Sequence, residues 1–249
     1  GSEMCIRDRS IANIINGARQ LRGSNILITG ATGLIGSLLT KGIMLANQQH
    51  STKIKLIILI RNKDKAIKMF SHYDDYKNVD VILGDIINMP EITSAIDYIF
   101  HCASITTSSE MVEHPVRTIE TIIDGTKNIL SLALEKGTKS LVYLSSMEVY
   151  GQVPNNGLRT SEEELGFINV LNSRSSYPES KRMAECLCYA YFKEFHVPVK
   201  IARLAQTFGP GIAKNDKRVF AQFAKSVIAN KDIVLHTYGT VSYTHLTLP

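Results

Sequence analysis

Tyr177 and Lys181, in the run Tyr-Pro-Glu-Ser-Lys, stand four residues apart and pair a phenol with an ammonium. At the start of a helix that spacing sets both on one face. A positive charge beside a phenol favours the phenolate and lowers the pKa, which makes Tyr177 a usable acid or base near neutral pH. Upstream, Ser145-Ser146-Met147-Glu148-Val149-Tyr150-Gly151 closes a strand-like run. Doubly wound sheets put their chemistry at the carboxyl ends of strands, where a serine hydroxyl can hydrogen-bond the same substrate oxygen as the tyrosine. Taken singly, a serine there is equally a helix cap.

A third constellation, Gly30-Ala31-Thr32-Gly33-Leu34-Ile35-Gly36, follows the strand-like Asn25 to Thr29 and opens a helix. In that context the first glycine permits a tight turn, the second lets backbone approach a pyrophosphate, and the third lets helix and strand pack closely. The spacing predicts a dinucleotide site. Such sites commonly end the second strand on an acidic residue that holds the ribose hydroxyls. Here Arg61-Asn62 stand in that place, with Lys63 and Lys65 behind. A cation suits a 2′-phosphate, so NADP is open, while Asp64 could still reach a ribose and keep NAD open.

The elements that must position these groups alternate along the chain. Asn25 to Thr29, Lys55 to Ile60, Val79 to Leu83, Tyr98 to Cys102, Ser140 to Ser145 and Val199 to Leu204 are short apolar runs suited to buried parallel strands. Helix-like segments lie between them at Leu34 to Ala46, Glu91 to Ala95, Pro115 to Lys136 and Ser180 to Phe195. In the third of these, Ile119, Ile122, Ile123, Ile129, Leu130 and Leu134 fall near a 3.6 period, and Gly137 follows as a helix stop. The alternation predicts an α/β fold, a Rossmann-type doubly wound parallel sheet. Gly151 to Ser176 is polar, with Glu162, Glu163 and Glu164, and reads as a surface loop with a short helix. Gly209-Pro210-Gly211 ends the last strand, and Arg218 to Asn230 reads as a helix opening a C-terminal substrate lobe that is truncated.

Composition narrows the class. With 249 residues and 44% of them hydrophobic, the chain can bury a core without disulfides or a structural metal. Cys5, Cys102, Cys186 and Cys188 lack metal-site spacing, and the last two point apart on a helix, so four free thiols are expected. The net charge of +5 is scattered rather than gathered, which speaks against nucleic-acid binding. His101, His114 and His196 are dispersed, so no metal is expected. The longest apolar run, Ile54 to Ile60, is far too short to cross a bilayer, and the first ten residues have no secretory h-region, so the expected place is the cytoplasm, with no membrane partner. Ser2 to Arg9 and Val241 to Pro249 extend no neighbouring periodicity and resemble tails translated from sequencing adapters. The expected organisation is therefore a non-native tail at 1–9, a dinucleotide-binding domain at 10–207, the start of the substrate lobe at 208–240 and a second tail at 241–249.

Together these residues resemble the extended short-chain dehydrogenase/reductase family, in its NAD(P)-dependent epimerase/dehydratase branch acting on nucleotide sugars. The resemblance runs from about Asn25 to Gly239 through GATGLIG at Gly30, GDI at Gly84, HCAS at His101, SSMEVYG at Ser145, YPESK at Tyr177, RLAQTFGPG at Arg203 and RVFAQF at Arg218. It implies a tightly bound NAD held by Gly30, Thr32, Gly33, Leu34, Ile35 and Gly36, with Arg61 near the adenosine ribose. Asp85 and Ile86 meet the adenine, and Ala103 and Ser104 line the ribose and phosphate side. Ser146 binds the sugar 4-hydroxyl, Tyr177 takes its proton, and Lys181 orients the nicotinamide ribose. Hydride transfer from C4 then gives a transient 4-keto sugar.

Glu148 matches the glutamate that UDP-glucuronate decarboxylases and 4,6-dehydratases carry before Val-Tyr-Gly, where a carboxylate can act at the acidified C5 proton. Pairing with a nearby cation is its plainer alternative. Met147 replaces the acid that dTDP-glucose dehydratases use on the departing 6-hydroxyl, which counts against simple dehydration. Gln206 and Arg218 belong to the implied substrate side. Two departures stand out, Ile122 for an asparagine that orders the site and Gln206 for the asparagine before Phe-Gly-Pro. The resemblance also implies a homodimer through the two long helices. A net NADPH-dependent carbonyl reductase or dehydrogenase of the same fold, favoured by Arg61, and a non-catalytic cofactor-binding relative are the alternatives.

Overall fold

The strands of the computed structural model, which describes residues 6–153, 160–209 and 219–232, grow from short Ile- and Leu-rich runs. β1 (Asn25–Thr29), β2 (Lys55–Ile60), β3 (Asp80–Leu83), β4 (Tyr98–His101), β5 (Ser140–Ser146) and β6 (Val199–Leu204) form one sheet in the order β3-β2-β1-β4-β5-β6. Every neighbouring pair is parallel. The strand order reverses at β1 and β4, where Thr29 faces His101, and that crevice is where such sheets take ligands.

Successive side chains point to opposite faces, and both faces are covered. Ile26, Ile28, Leu56 and Ile58 pack on one side against α1 (Ile6–Gly17), α2 (Leu34–His50) and α3 (Lys63–Phe70), whose Ala12, Ile43 and Phe70 join the same cluster. Leu27, Ile57, Ile99 and Tyr143 pack on the other against α5 (Pro115–Lys136) and α6 (Ser176–Phe195), through Ile129, Leu130 and Ala184. Truncating a fully buried isoleucine such as Ile57 to alanine costs about 2–5 kcal/mol. The chain also carries α4 (Ser108–Glu113) and α7 (Val219–Ile228). The described residues divide into two units between Ala205 and Gln206, and in the second the Phe208 ring lies 5.8 Å from Phe220.

Glu91 to Ala95, expected as a helix, is not helical. Ile92 and Ile96 are both buried in the core, so their four-residue spacing reflects anchoring of an extended crossover that follows Pro90. The sequence reading also passes over α1, α3 and α4. Short helices with polar outer faces give little periodic signal, and α3 starts at a cap, Asn62, whose side chain accepts from Lys65 N at 2.8 Å. α6 begins at Ser176, one residue before Tyr177. At the amino end α1 runs unbroken across Arg9 and Ser10, and buried Asp8 accepts a hydrogen bond from the Tyr73 hydroxyl at 3.0 Å. Residues 1–5 and the stretch 241–249 lie outside the described residues.

Candidate active site

Gly30 takes the left-handed region at φ +65°, and a Cβ there would stand 2.7 Å from the Ala103 nitrogen. The turn after β1 therefore presses directly on the residue after Cys102. Gly36 is equally constrained, since a Cβ would meet the Gly30 carbonyl oxygen at 2.3 Å. Between them Gly33 is exposed and is the N-cap of α2, with no side chain capping the helix. Leu34, Ile35 and Gly36 thus open the helix with backbone N–H groups unclaimed by a side-chain cap, in the geometry that takes phosphate oxygens. Thr32 lies half-buried on the turn.

A buried hydrogen-bonded chain supports the cradle from beneath. Ala103 N donates to Thr29 Oγ1 at 3.2 Å, Thr29 Oγ1 pairs with His101 Nδ1 at 2.8 Å, and His101 Nε2 lies 3.4 Å from Thr126 Oγ1 on α5. Burial, with the Lys181 charge adding to it, lowers the His101 pKa to about 3. This imidazole is neutral and structural.

At the residues expected to meet adenine, Gly125 lets α5 close on Ile86, whose Cγ2 a Cβ would meet at 2.8 Å. Asn128 Nδ2 donates to the Ile86 and Ile87 carbonyls at 2.9 and 2.7 Å, and Asp85 Oδ1 accepts from Ile87 N at 3.0 Å. Arg61, expected to await a 2′-phosphate, instead lies with Nη1 3.8 Å from Asp85 Oδ2. Asn62 is spent on capping α3. Ser104 is half-buried beside Ala103, its hydroxyl 3.4 Å from the Ile105 carbonyl.

Ser146 ends β5, and its hydroxyl accepts from Glu148 N at 3.2 Å, capping the 3-10 turn Met147–Tyr150. The same hydroxyl acts to lower the Tyr177 pKa, so the cap and the expected site residue are one group. Tyr177 is only 8% exposed. Its pKa is raised, first by burial and also by the Glu148 charge, against lowering by the Ser146 hydrogen bond and Arg174. Lys181, expected to lower it, has its Nζ 5.8 Å from the Tyr177 ring centre and is not among these causes. Lys181 is itself buried, and its Nζ donates to the Leu144 carbonyl at 2.8 Å while lying 4.7 Å from the Tyr143 ring centre. Burial brings its pKa down to about 8.

Glu148 is paired, as its plainer alternative has it, accepting from Arg174 Nη2 at 2.8 Å. Sequence reasoning missed Arg174, and also Arg182, which donates to the Val149 and Gly166 carbonyls at 2.7 Å and braces the loop beyond Gly151. Another braced group stands behind Ser145. Its hydroxyl donates to Glu185 Oε1 at 2.6 Å, Arg203 Nη2 donates to Glu185 Oε2 at 2.7 Å, and Arg203 Nη1 donates to the Glu162 carbonyl at 2.6 Å. Ile122 is buried in the core. Gln206 falls in the second unit, and Arg218 lies outside the described residues. Among the described residues no group of three or more His, Cys, Asp or Glu could hold a metal, and no helix is long and apolar enough to cross a membrane. Cys102, Cys186 and Cys188 are free thiols, with Cys186 exposed and Cys188 buried as their spacing predicts.

The model of the NAD-dependent epimerase/dehydratase family matches residues 26–247. UDP-glucuronic acid decarboxylase 1 of Xenopus tropicalis is 33% identical over 214 residues, covering 86% of this chain and 48% of that protein. UDP-glucuronic acid decarboxylase 6 of Arabidopsis thaliana is 31% identical, covering 86% and 60%. The chain thus spans about half the length of the curated relatives it matches. Among solved structures, UDP-glucuronic acid 4-epimerase from Bacillus cereus in complex with NAD superposes with a TM-score of 0.68 at 23% identity, covering 84% of this chain and 65% of the other. dTDP-glucose 4,6-dehydratase from Bacillus anthracis, also with NAD, gives 0.66 at 23% identity, covering 87% and 65%.

Proposed function

Because the chain belongs to the NAD-dependent epimerase/dehydratase family, we propose that it carries the catalytic residues of an enzyme that oxidises a nucleotide sugar transiently at C4, in the manner of a UDP-glucuronate decarboxylase. The observation that carries this is the buried Tyr177 phenol, at the start of α6 with Lys181 one turn on, its ionisation coupled to the Ser146 hydroxyl at the end of β5 and to Glu148. Two hydroxyls brought to one site can both reach the sugar 4-hydroxyl. Ser146 orients it, and Tyr177, once it has released its own proton to solvent and stands as phenolate, takes the 4-hydroxyl proton on its phenolic oxygen.

The glycine cradle fits a dinucleotide, because its exposed second glycine and uncapped helix start are the features a pyrophosphate requires. Gly30 to Gly36, Asp85, Ile86, Ala103 and Ser104 hold it. When bound, the oxidised nicotinamide supplies the hydride acceptor and a positive charge. The pairing of Arg61 with Asp85 favours NAD over NADP, since the guanidinium has a carboxylate within reach. The buried Lys181, its Nζ donating to the Leu144 carbonyl, positions the ribose. Once C4 is a ketone, a carboxylate at C5 makes a β-keto acid: the C5–carboxyl bond breaks to release CO2, its electron pair passes to the C4 oxygen as an enolate, and C5 then takes up a proton. Glu148 moves the proton at C5, and Met147 gives no acid for expelling a 6-hydroxyl, which favours decarboxylation over dehydration.

The test is a panel of UDP-, dTDP-, GDP- and CDP-sugars read by mass spectrometry for loss of CO2, loss of water or an isobaric change, on the parent, Tyr177→Phe and Lys181→Ala. Turnover unchanged in both variants would end the enzyme reading. Stoichiometric consumption of NADPH would instead point to a net reductase, against the Arg61–Asp85 pairing.

The domain division at 207/208, the substrate role of Gln206 and Arg218 and a cytoplasmic setting belong to the same proposal. So does a homodimer through α5 and α6, supported by the exposed apolar Val116, Ile119, Met183 and Phe192 on those helices. Light scattering on the parent and on Phe192→Asp tests the dimer, which should dissociate in the variant.

A further inference from the structure

Arg174 sits in the single 3-10 turn Ser173–Ser175 that leads into α6, and Asn172 caps that turn by accepting from Arg174 N at 2.9 Å. Its guanidinium touches both acid–base groups of the site. Nη2 donates to Glu148 Oε1 at 2.8 Å, and Cζ lies 5.6 Å from the centre of the Tyr177 ring. Nη1 is buried with no hydrogen-bond partner among the described residues, so the carboxylate, not the scaffold, orients the group. A planar guanidinium can offer an edge to a carboxylate and a face to an aromatic ring at once, which an ammonium cannot.

Glu148 and Tyr177 are each able to carry negative charge, and two such groups side by side oppose one another's ionisation. Lys181 does not separate them, because its ammonium is directed at the Leu144 carbonyl. We propose that Arg174 is a positioning residue of this site, fixing the Glu148 carboxylate beside Tyr177 and shielding the phenol from that carboxylate's charge. The role rests on Tyr177 and Glu148 being the acid–base pair. The directions agree with it, since the Glu148 charge raises the Tyr177 pKa and Arg174 lowers it. Tyr143 from β5 and Lys181 from α6 also face the phenol, and Glu185 acts on both.

The test follows the Tyr177 phenol directly, in the full chain without substrate. Tyrosines are replaced biosynthetically by 3-fluorotyrosine, which titrates lower than tyrosine, and the Tyr177 fluorine resonance is assigned by its loss in Tyr177→Phe. In Arg174→Met the titration midpoint should rise by about one pH unit or more. Adding Glu148→Gln should return at least half of that rise, which a merely structural arginine would not produce. A midpoint within about 0.3 unit of the parent in folded Arg174→Met would overturn the proposal. Should that variant not fold, Arg174→Lys decides. It keeps the charge without the two-sided contact and should raise the midpoint by about half a unit, an unchanged value being the refutation. The titration needs no turnover, so it judges Arg174 even if the sugar panel shows no Tyr177-dependent reaction.

Discussion

Acid should weaken this fold at one identifiable point, His101. Its ordinary pKa of 6.5 falls to about 3 in the folded chain because burial opposes charge. The unfolded chain therefore binds a proton below about pH 6.5 that the folded chain refuses down to about pH 3, so stability is lost as pH falls through that window. From pH 7 to pH 5 the loss from this group alone comes to about 2 kcal/mol. The comparison is with His101→Gln, whose amide can still reach Thr29 and Thr126 but does not titrate. Urea unfolding at several pH values gives both curves, and every other titrating group is common to the two chains. The variant starts less stable but should lose about 2 kcal/mol less over the two units. Curves that stay parallel to within about 0.5 kcal/mol would refute the burial argument.

Further outcomes follow from the same geometry. Gly36→Ala drives a Cβ to 2.3 Å from the Gly30 carbonyl and should cost about 3 kcal/mol or more, whereas Gly137→Ala, at φ +60° with nothing within 4 Å, should cost only about 1 kcal/mol. Equal losses in thermal unfolding would contradict the crowding. For Lys181 the folded pKa is depressed to about 8 from 10.5, so the unfolded chain holds the extra proton between them and stability rises with pH across that window by about 3 kcal/mol. Lys181→Met should lack that rise in the same urea series. Glu185→Gln and Arg203→Met each strand a partner that is 20% exposed or less, at a cost of about 3 kcal/mol. A double-mutant cycle should show at least about 1 kcal/mol of coupling, and simple additivity would dissolve the network.

Much of this architecture was legible in the chain because its determinants are local. Gly30, Gly33 and Gly36 announce themselves by spacing behind a strand, and the structure gives each a geometric reason. Tyr177 and Lys181 share a helix, so four residues of separation placed both. What spacing could not convey was how burial acts on them. Removal from water sets the Tyr177 phenol high and the Lys181 ammonium low, and burial is decided by residues as distant as Tyr143 and Leu144. Glu148 with Arg174 and Asn128 with Ile86 were illegible for a related reason. The first joins two side chains across 26 positions and the second an amide to a backbone carbonyl across 42, and only the finished fold shows which partner each reaches. Glu91 to Ala95 misled because two core isoleucines four apart imitate one helical face.

The central pairing of β1 with β4 also governs when the cradle can exist during folding. The Thr29–His101 hydrogen bond closes a stretch of 72 positions, a loop-closure entropy of about 4 kcal/mol that must be met before any contact across it repays the chain. β1 and β2 can pair earlier around α2 alone. Yet the glycine turn reaches its final form only when Ala103 docks on Gly30 and donates to Thr29. During synthesis the glycine turn is therefore completed well after its own signature residues have left the ribosome, and a nascent chain arrested before β4 would carry the motif without its finished geometry.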